Sequence, residues 1–175
     1  TNEDVREKLE QIYNERHNSY VPAVYDGSHL AMPGLAEAVR RNDHQLGAVW
    51  RVLQEGEGII AHGVGYGKTF TGIMSAVELK RLGIARKPMI VVDNATIKQF
   101  AESFRVAYPA ANILVTTEET FATNKRQRLL ASIATGDWDC VILAQSQFDL
   151  IQSSPKAVAE YMQDQLDELE MAELW

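Results

Sequence analysis

The stretch GIIAHGVGYGKTFTGIMSAVELKRLG, residues 58–83, sets a glycine-rich turn and a Lys-Thr pair between a short apolar run and a helical pattern. A phosphate-binding loop needs, in this order, a strand, a tight glycine turn with exposed backbone N–H groups, a lysine, and a hydroxyl that opens a helix. The pattern GIIAH (58–62) predicts the strand, and KTFTGIMSAVELKRLG predicts a helix that ends at Gly83. All four features are present, so a nucleotide site is favoured over a flexible turn.

The loop itself predicts how a nucleotide would be held. The backbone N–H groups of Gly65 to Thr69 are expected to surround the β-phosphate, helped by the dipole of the following helix. Lys68 is expected to neutralise the β- and γ-phosphates, and the Thr69 hydroxyl to coordinate Mg²⁺. The common motif G-x-x-x-x-G-K-[ST] has glycine at the position of His62, whereas this chain reads HGVGYGKT. The candidate nucleotide-binding residues of the loop are His62, Gly63, Gly65, Tyr66, Gly67, Lys68 and Thr69.

The composition narrows the class of protein. With 175 residues, 46% of them hydrophobic and 23% charged, the chain is long enough for one globular core and is typical of a soluble α/β domain. No apolar run approaches the roughly 20 residues that cross a bilayer. The N-terminal TNEDVREKLEQ is charged, so we expect no signal peptide, no membrane contact and a cytoplasmic location.

The single cysteine, the histidines and the net charge argue against two further classes, metal-binding proteins and proteins that coat nucleic acid. Cys140 lies in the apolar run WDCVILAQ, which predicts a small buried residue, and the four histidines lack metal-ligand spacing, so no structural metal is expected. The formal charge of −7 argues against a protein that coats nucleic acid. Residues 155–175 account for −5 of it, six acids against Lys156, which leaves −2 elsewhere and room for a basic groove near KRLGIARK or NKRQR.

The segments after the loop predict the fold. PMIVVD (88–93), NILVTT (112–117) and DCVILAQ (139–145) read as strands, separated by helices over ATIKQFAESFRVAY and from Glu119 to about Ala134. Strands that alternate with crossover-length helices predict a parallel sheet covered on both faces.

Three regions follow from these patterns. Residues 1–43 comprise an amphipathic helix over 3–17 and an extended arm, SYVPAVYDGSHLAMPG, and residues 44–154 form the α/β unit, whose first helix spans 44–54. Residues 155–175 predict an acidic amphipathic helix.

A glutamine ahead of the loop is a candidate adenine-binding residue. Gln45 lies in RRNDHQLGAVWRVLQ, about twenty residues before the loop. Its amide can both donate to and accept from the edge of adenine. The alternative is an ordinary polar residue of a helix.

The order of the segments resembles a known family. Five segments, taken in order, are similar to the first RecA-like lobe of superfamily 2, Swi/Snf-type DNA helicases. They are HQ…AVWRVLQ, GIIAHGVGYGKTFTGIMSAVELKRLG, KPMIVVDNATIKQFAESFRVAYP, ANILVTT and TGDWDCVILAQSQFDLI. The chain is most similar to large phage- and plasmid-associated proteins that join such a helicase to an N6-adenine DNA methyltransferase, and the arm resembles the segment that precedes their helicase lobe. The resemblance spans about residues 11–160. It implies a RecA-like P-loop domain that uses ATP and Mg²⁺ and acts on DNA.

The resemblance also implies roles for the nucleotide-binding residues. Gln45 matches the glutamine that reads adenine. The first helicase motif is matched by Gly65, Gly67, Lys68 and Thr69, of which Lys68 and Thr69 are the implied catalytic residues.

Two further segments match motifs that contact the DNA backbone. VDNATIKQ matches the loop that follows the next strand, but Asp93 stands where the family usually has proline, and a carboxylate next to phosphate is repulsive. Thr96 and Gln99 are therefore the better candidates in that motif. Ser146 and Gln147 match the next motif, with strand-end caps as the alternative, and Ser146 is the candidate DNA-binding residue.

The acidic pair that such a lobe needs for hydrolysis has no match. Its Asp holds Mg²⁺ and its Glu positions water, both at the end of an apolar strand. The one Asp-Glu pair, Asp167 and Glu168, lies in the predicted amphipathic helix, and Asp137 and Asp139 precede a strand as turn residues. We therefore expect an incomplete RecA-like lobe with unpaired strand edges, which is part of a longer polypeptide and inactive alone. Its expected partners are DNA, a second helicase lobe and, by resemblance, a methyltransferase domain.

Two other functions stay open. A nucleotide- or DNA-binding regulatory module would bind ATP through Lys68 without DNA-stimulated turnover. A small-molecule kinase could carry the same loop, although no segment resembles a lid or an acceptor site.

Overall fold

The computed structural model describes residues 2–17, 23–117, 120–151 and 163. None of the helices in that part is long and apolar enough to cross a membrane. The predicted C-terminal helix over 155–175 lies outside the described residues, apart from position 163. The helices are α1 (Asn2–His17), α2 (Asp43–Glu55), α3 (Lys68–Arg81), α4 (Ile97–Ala107), α5 (Thr123–Thr135) and α6 (Gln145–Phe148), and the strands are β1 (Met89–Val92), β2 (Ile113–Val115) and β3 (Cys140–Ala144).

The three strands form one parallel sheet in the order β1-β3-β2. The register places Val91 beside Leu143 and Leu114 beside Val141. Every residue of the central strand, CVILA, is buried, which is typical of a parallel strand covered on both faces. The predicted α/β class with a parallel sheet and crossover helices is confirmed, and the arrangement is compatible with part of a RecA-like fold.

The strand predicted at 58–62 is not present. Residues 57–63 have no regular secondary structure, and Ile59 is 86% exposed. A strand persists only when a neighbour takes up its N–H and C=O groups, and the sheet formed by the described residues ends at β1 and β2. The prediction was wrong because an apolar run cannot supply its own pairing partner.

The core lies between the sheet and helices α2, α3 and α4. Val49, Ile73 and Phe104 are fully buried, one from each helix, as the 3- or 4-residue spacing of apolar residues predicts. Cys140 is also fully buried, and burial raises the pKa of its thiol to about 12. The thiol is therefore a packing group, as its apolar surroundings in the sequence indicate.

The arm packs closely against the start of α2. A Cβ atom added to Gly27 would lie 2.1 Å from the carbonyl oxygen of Leu46, and one added to Gly47 would lie 2.6 Å from that of Tyr25. The arm also places Leu30 and Met32 in the core, where they are 6% and 2% exposed. The predicted arm with turns is thus present in its described part, and it fixes the N-terminal end of α2.

Replacing Gly27 with alanine tests this contact. Because the new methyl group meets backbone that cannot move aside, we expect the free energy of unfolding to fall by about 1–3 kcal/mol. Urea unfolding followed by circular dichroism measures the change. Gly72→Ala is the matched control, since nothing lies within 4 Å of a Cβ atom there and alanine favours a helix by up to about 1 kcal/mol. Equal midpoints for wild type and Gly27→Ala would show that the arm does not pack on α2.

Candidate nucleotide-binding site

The loop between residues 62 and 69, called the phosphate loop below, has the backbone shape that its glycines predict. Gly65 and Gly67 have φ angles of 82° and 73°, in the left-handed region that glycine adopts at low cost. The N–H of Tyr66 donates to the carbonyl of Gly63 at 3.4 Å, which closes a turn. Helix α3 begins directly afterwards, at Lys68. A glycine turn that opens onto a helix N-terminus is a shape suited to binding an anion.

The side chain of Lys68 folds back over this loop. Its Nζ donates to the carbonyl oxygen of His62 at 2.8 Å and to that of Gly63 at 3.0 Å. The ammonium group thus bridges the first two residues of the loop. An anion entering the loop would compete with two neutral carbonyls for this cation, and charge-assisted bonds to an anion are the stronger ones.

Gln45 is joined directly to the phosphate loop. Its side chain is buried, and its Nε2 donates to the carbonyl oxygen of Gly67 at 3.1 Å. Its Oε1 accepts from the backbone N–H of Asn42 at 3.2 Å and from the Asn42 side-chain amide at 3.1 Å. The structure therefore brings the predicted adenine-binding residue to the loop, with partners already on both ends of its amide.

The rings of two loop residues, His62 and Tyr66, both contact the ring of His44 in α2. The ring of His44 lies 5.0 Å from that of His62 and 5.5 Å from that of Tyr66, both at steep angles. The Nε2 atom of His44 lies 3.1 Å from the carbonyl oxygen of Tyr66. The Nδ1 atom of His62 is buried and has no hydrogen-bond partner among the described residues. The histidine at the unusual position of the motif thus packs against α2 and connects it with the loop.

A cavity of about 640 Å³ opens beside the loop and α2. This volume is within the usual range for small-molecule sites, about 300–1,000 Å³. Residues that the sequence interpretation missed, Arg40, Asn42 and His44, line it together with Gln45. Their position in RRNDHQ, next to the glutamine, was the available signal. The remaining lining residues are Ala38, Val39, Val64, Gly65, Tyr66, Gly67, Phe70 and Val106.

The described residues offer few ligands for a metal ion. They contain no group of three or more His, Cys, Asp or Glu side chains that could hold one. Thr69 is half-buried in the first turn of α3. A Mg²⁺ ion at this site would take the Thr69 hydroxyl as its protein ligand, with phosphate oxygens and water completing the shell, which is the usual mode for this ion.

The residues predicted to contact DNA lie at the carboxyl ends of β1 and β3. The hydroxyl of Ser146 donates to Asn94 Oδ1 at 2.9 Å, and that of Thr96 donates to the carbonyl of Asp93 at 3.0 Å. Because the two strands are parallel neighbours, their carboxyl ends meet at one edge of the sheet. Gln99 is exposed in the first turn of α4.

Gln147 and the aspartates before β3 have structural partners. Gln147 is buried, and its Oε1 accepts from the N–H of Ala144 at 3.1 Å and from the hydroxyl of Thr116, as a strand-end cap does. Asp137 and Asp139 each accept from Lys80 Nζ at 2.8 Å, and these bonds raise the pKa of Lys80. The two aspartates precede β3, as predicted for turn residues.

Fold and site together define an α/β protein in which a glycine loop opens onto a helix beside a ligand-sized cavity. A family model described as a probable helicase domain matches residues 50–174. The chain belongs to this family. Defense against restriction protein B of Escherichia phage P1 is a curated relative, 34% identical over 70 residues, which are 40% of this chain and 3% of that protein. The chain thus matches a small part of that relative's length.

Proposed function

We propose that the chain forms the ATP-binding half-site of an ATP-dependent DNA helicase or translocase of the superfamily 2, Swi/Snf type. The observation that carries the proposal is the left-handed backbone of Gly65 and Gly67 immediately before Lys68, where α3 begins. Membership of a helicase domain family gives this loop a context in which ATP is the expected ligand. The cavity beside the loop provides room for the nucleoside.

The chain's own groups have definite tasks in this proposal. Mg·ATP, when bound, supplies the phosphoanhydride bond whose hydrolysis drives movement along DNA. The ammonium of Lys68 leaves the carbonyls of His62 and Gly63 and neutralises phosphate charge, while the N–H groups of residues 65–69 donate to phosphate oxygens. The Thr69 hydroxyl holds the magnesium ion at the start of α3.

The remaining parts of the catalytic site are proposed to come from elsewhere in a longer polypeptide. These are the acidic pair that handles Mg²⁺ and water, and a second RecA-like lobe. Segment 57–63 pairs with no strand among the described residues, and β1 forms one edge of their sheet. Both features support this view, because each can accept a further strand. By resemblance, the same polypeptide also carries an N6-adenine DNA methyltransferase, and we propose that it acts in the cytoplasm.

The proposal is tested by ATP hydrolysis in the longer protein. We expect turnover that rises when double-stranded DNA is added and that is lost in the Lys68→Ala variant. Binding of Mg·ATP with no turnover, with or without DNA, would instead support the regulatory module. Transfer of phosphate to a metabolite would support the small-molecule kinase.

The DNA contacts can be tested separately. We expect Thr96→Ala and Ser146→Ala each to weaken DNA binding by the longer protein about 3- to 10-fold, the usual loss for one hydrogen bond. Fluorescence anisotropy with labelled DNA, at one fixed salt concentration, measures the change. Thr135→Ala is the matched control, because its exposed hydroxyl, like that of Thr96, donates to a backbone carbonyl, at 2.8 Å, but at the C-terminal end of α5. If all the variants bind DNA as tightly as the wild type, Thr96 and Ser146 are not part of the DNA interface.

A further inference from the structure

The amide of Gln45 has little capacity left for a ligand. A glutamine amide has two N–H donors and one oxygen with two lone pairs. Both groups of Asn42 that donate to Oε1 lie within 3.2 Å, and one N–H of Nε2 is given to the carbonyl of Gly67. The residue as a whole is only 3% exposed. Reading an adenine edge requires a donor and an acceptor together, so Gln45 would first have to release Asn42.

The contact with Gly67 is close and is shared with α3. A Cβ atom at Gly67 would lie 2.4 Å from Gln45 Nε2. The Gly67 carbonyl also accepts from the backbone N–H of Thr71 at 3.0 Å and from its hydroxyl at 3.2 Å. Three donors therefore fix one carbonyl, and with it the left-handed residue that directly precedes Lys68.

We propose that Gln45 is a positioning residue of the phosphate loop and does not select the base. Its amide ties the N-terminus of α2 to Gly67 and so holds the backbone N–H groups and Lys68 in their binding arrangement. Its contribution then depends on the phosphates and is the same for every nucleoside triphosphate. This inference rests on the proposed nucleotide site and changes the role that the resemblance implies for Gln45.

The test compares three ligands on one variant. Gln45→Glu keeps the side-chain length and the acceptor for Asn42, but it places a carboxylate oxygen against the Gly67 carbonyl where an N–H donated. We expect Mg·ATP, Mg·GTP and magnesium tripolyphosphate each to bind about tenfold more weakly, measured by calorimetric titration of the full chain. Gln54→Glu is the matched control, since it makes the same charge change at an exposed position of α2.

A second variant removes a different donor to the Gly67 carbonyl. Thr71 is fully buried, and Thr71→Val keeps its shape while removing the hydroxyl that donates to Gly67. We expect the same equal loss for all three ligands, so the inference stays testable if Gln45→Glu fails to fold.

The outcomes separate this inference from the proposed function. A loss confined to Mg·ATP in Gln45→Glu would overturn the inference and assign Gln45 to adenine, and so would unchanged affinity for all three ligands. A wild-type chain that is folded but binds none of them would overturn the proposed function itself.

Discussion

Replacing Lys68 with alanine is expected to weaken the binding of Mg·ATP by about 100-fold or more. The Lys68 ammonium bridges the carbonyls of His62 and Gly63 and is the cation of the phosphate loop. Losing its bonds to a charged ligand costs about 1.5–3 kcal/mol per bond, and every 1.4 kcal/mol is a tenfold change in affinity. Titration of the chain with a fluorescent ATP analogue, in the presence of Mg²⁺, measures the change.

Lys87→Ala is the matched control for this experiment. The ammonium of Lys87 also donates to two backbone carbonyls, those of Ile133 and Ala134, which lie in α5. Its loss should reduce stability in the same way without affecting nucleotide binding. If Lys68→Ala binds Mg·ATP as tightly as Lys87→Ala does, the loop is not a phosphate site.

The second large effect is expected at Gly67. An alanine there must take a φ angle of 73°, which costs about 1–2 kcal/mol for a residue with a Cβ atom. Its methyl group also meets Gln45 Nε2 at 2.4 Å and breaks the hydrogen bond to the Gly67 carbonyl, a further loss of about 1 kcal/mol. We therefore expect Gly67→Ala to lower the free energy of unfolding by about 2–3 kcal/mol in urea.

Gly65→Ala separates the two causes. The φ angle of Gly65 is 82°, but nothing lies within 4 Å of its added Cβ atom, so only the backbone cost of about 1–2 kcal/mol applies. In a Gln45→Ala background, the difference between Gly65→Ala and Gly67→Ala should vanish, because the contact that distinguishes them is gone. Equal losses at both glycines in the wild-type background would show that Gln45 does not restrain the loop.

Much of the fold could be predicted because most of its helices and strands follow from the local spacing of apolar residues. The apolar spacing predicted α2 over 44–54, and the structure has it at Asp43–Glu55. Helix α5 begins later than the expected Glu119, at Thr123. Before it, Thr117 and Thr120 bond to each other's backbone and hydroxyl groups, and such local bonds compete with helix formation.

What could not be predicted depends on distant partners. The segment 58–62 has the composition of a strand, but it pairs with none of the described strands. Composition alone carries no information about which strands pair. The sequence predicted that Gln45 binds adenine, and that role stays a prediction. The bond that the structure shows instead, from Gln45 to the Gly67 carbonyl across 22 positions, depends on how α2 packs on α3.

The arm, α2 and the loop form a connected series of contacts. Gly27 lies against the carbonyl of Leu46, the next residue in α2 after Gln45, and Gln45 bonds to Gly67. Displacing the arm should therefore loosen the phosphate loop as well as the core. The arm is therefore expected to contribute to the shape of the phosphate loop.

The most direct measurement of the central claim is a calorimetric titration of the folded chain with Mg·ATP. The account predicts saturable binding of one nucleotide per chain. It also predicts competition by tripolyphosphate, because the loop is proposed to bind the phosphates. Circular dichroism before the titration establishes that the helices are formed. A folded chain that shows no saturable binding up to about 1 mM Mg·ATP would contradict the account. A dissociation constant of about 1 mM corresponds to a binding free energy of about −4 kcal/mol.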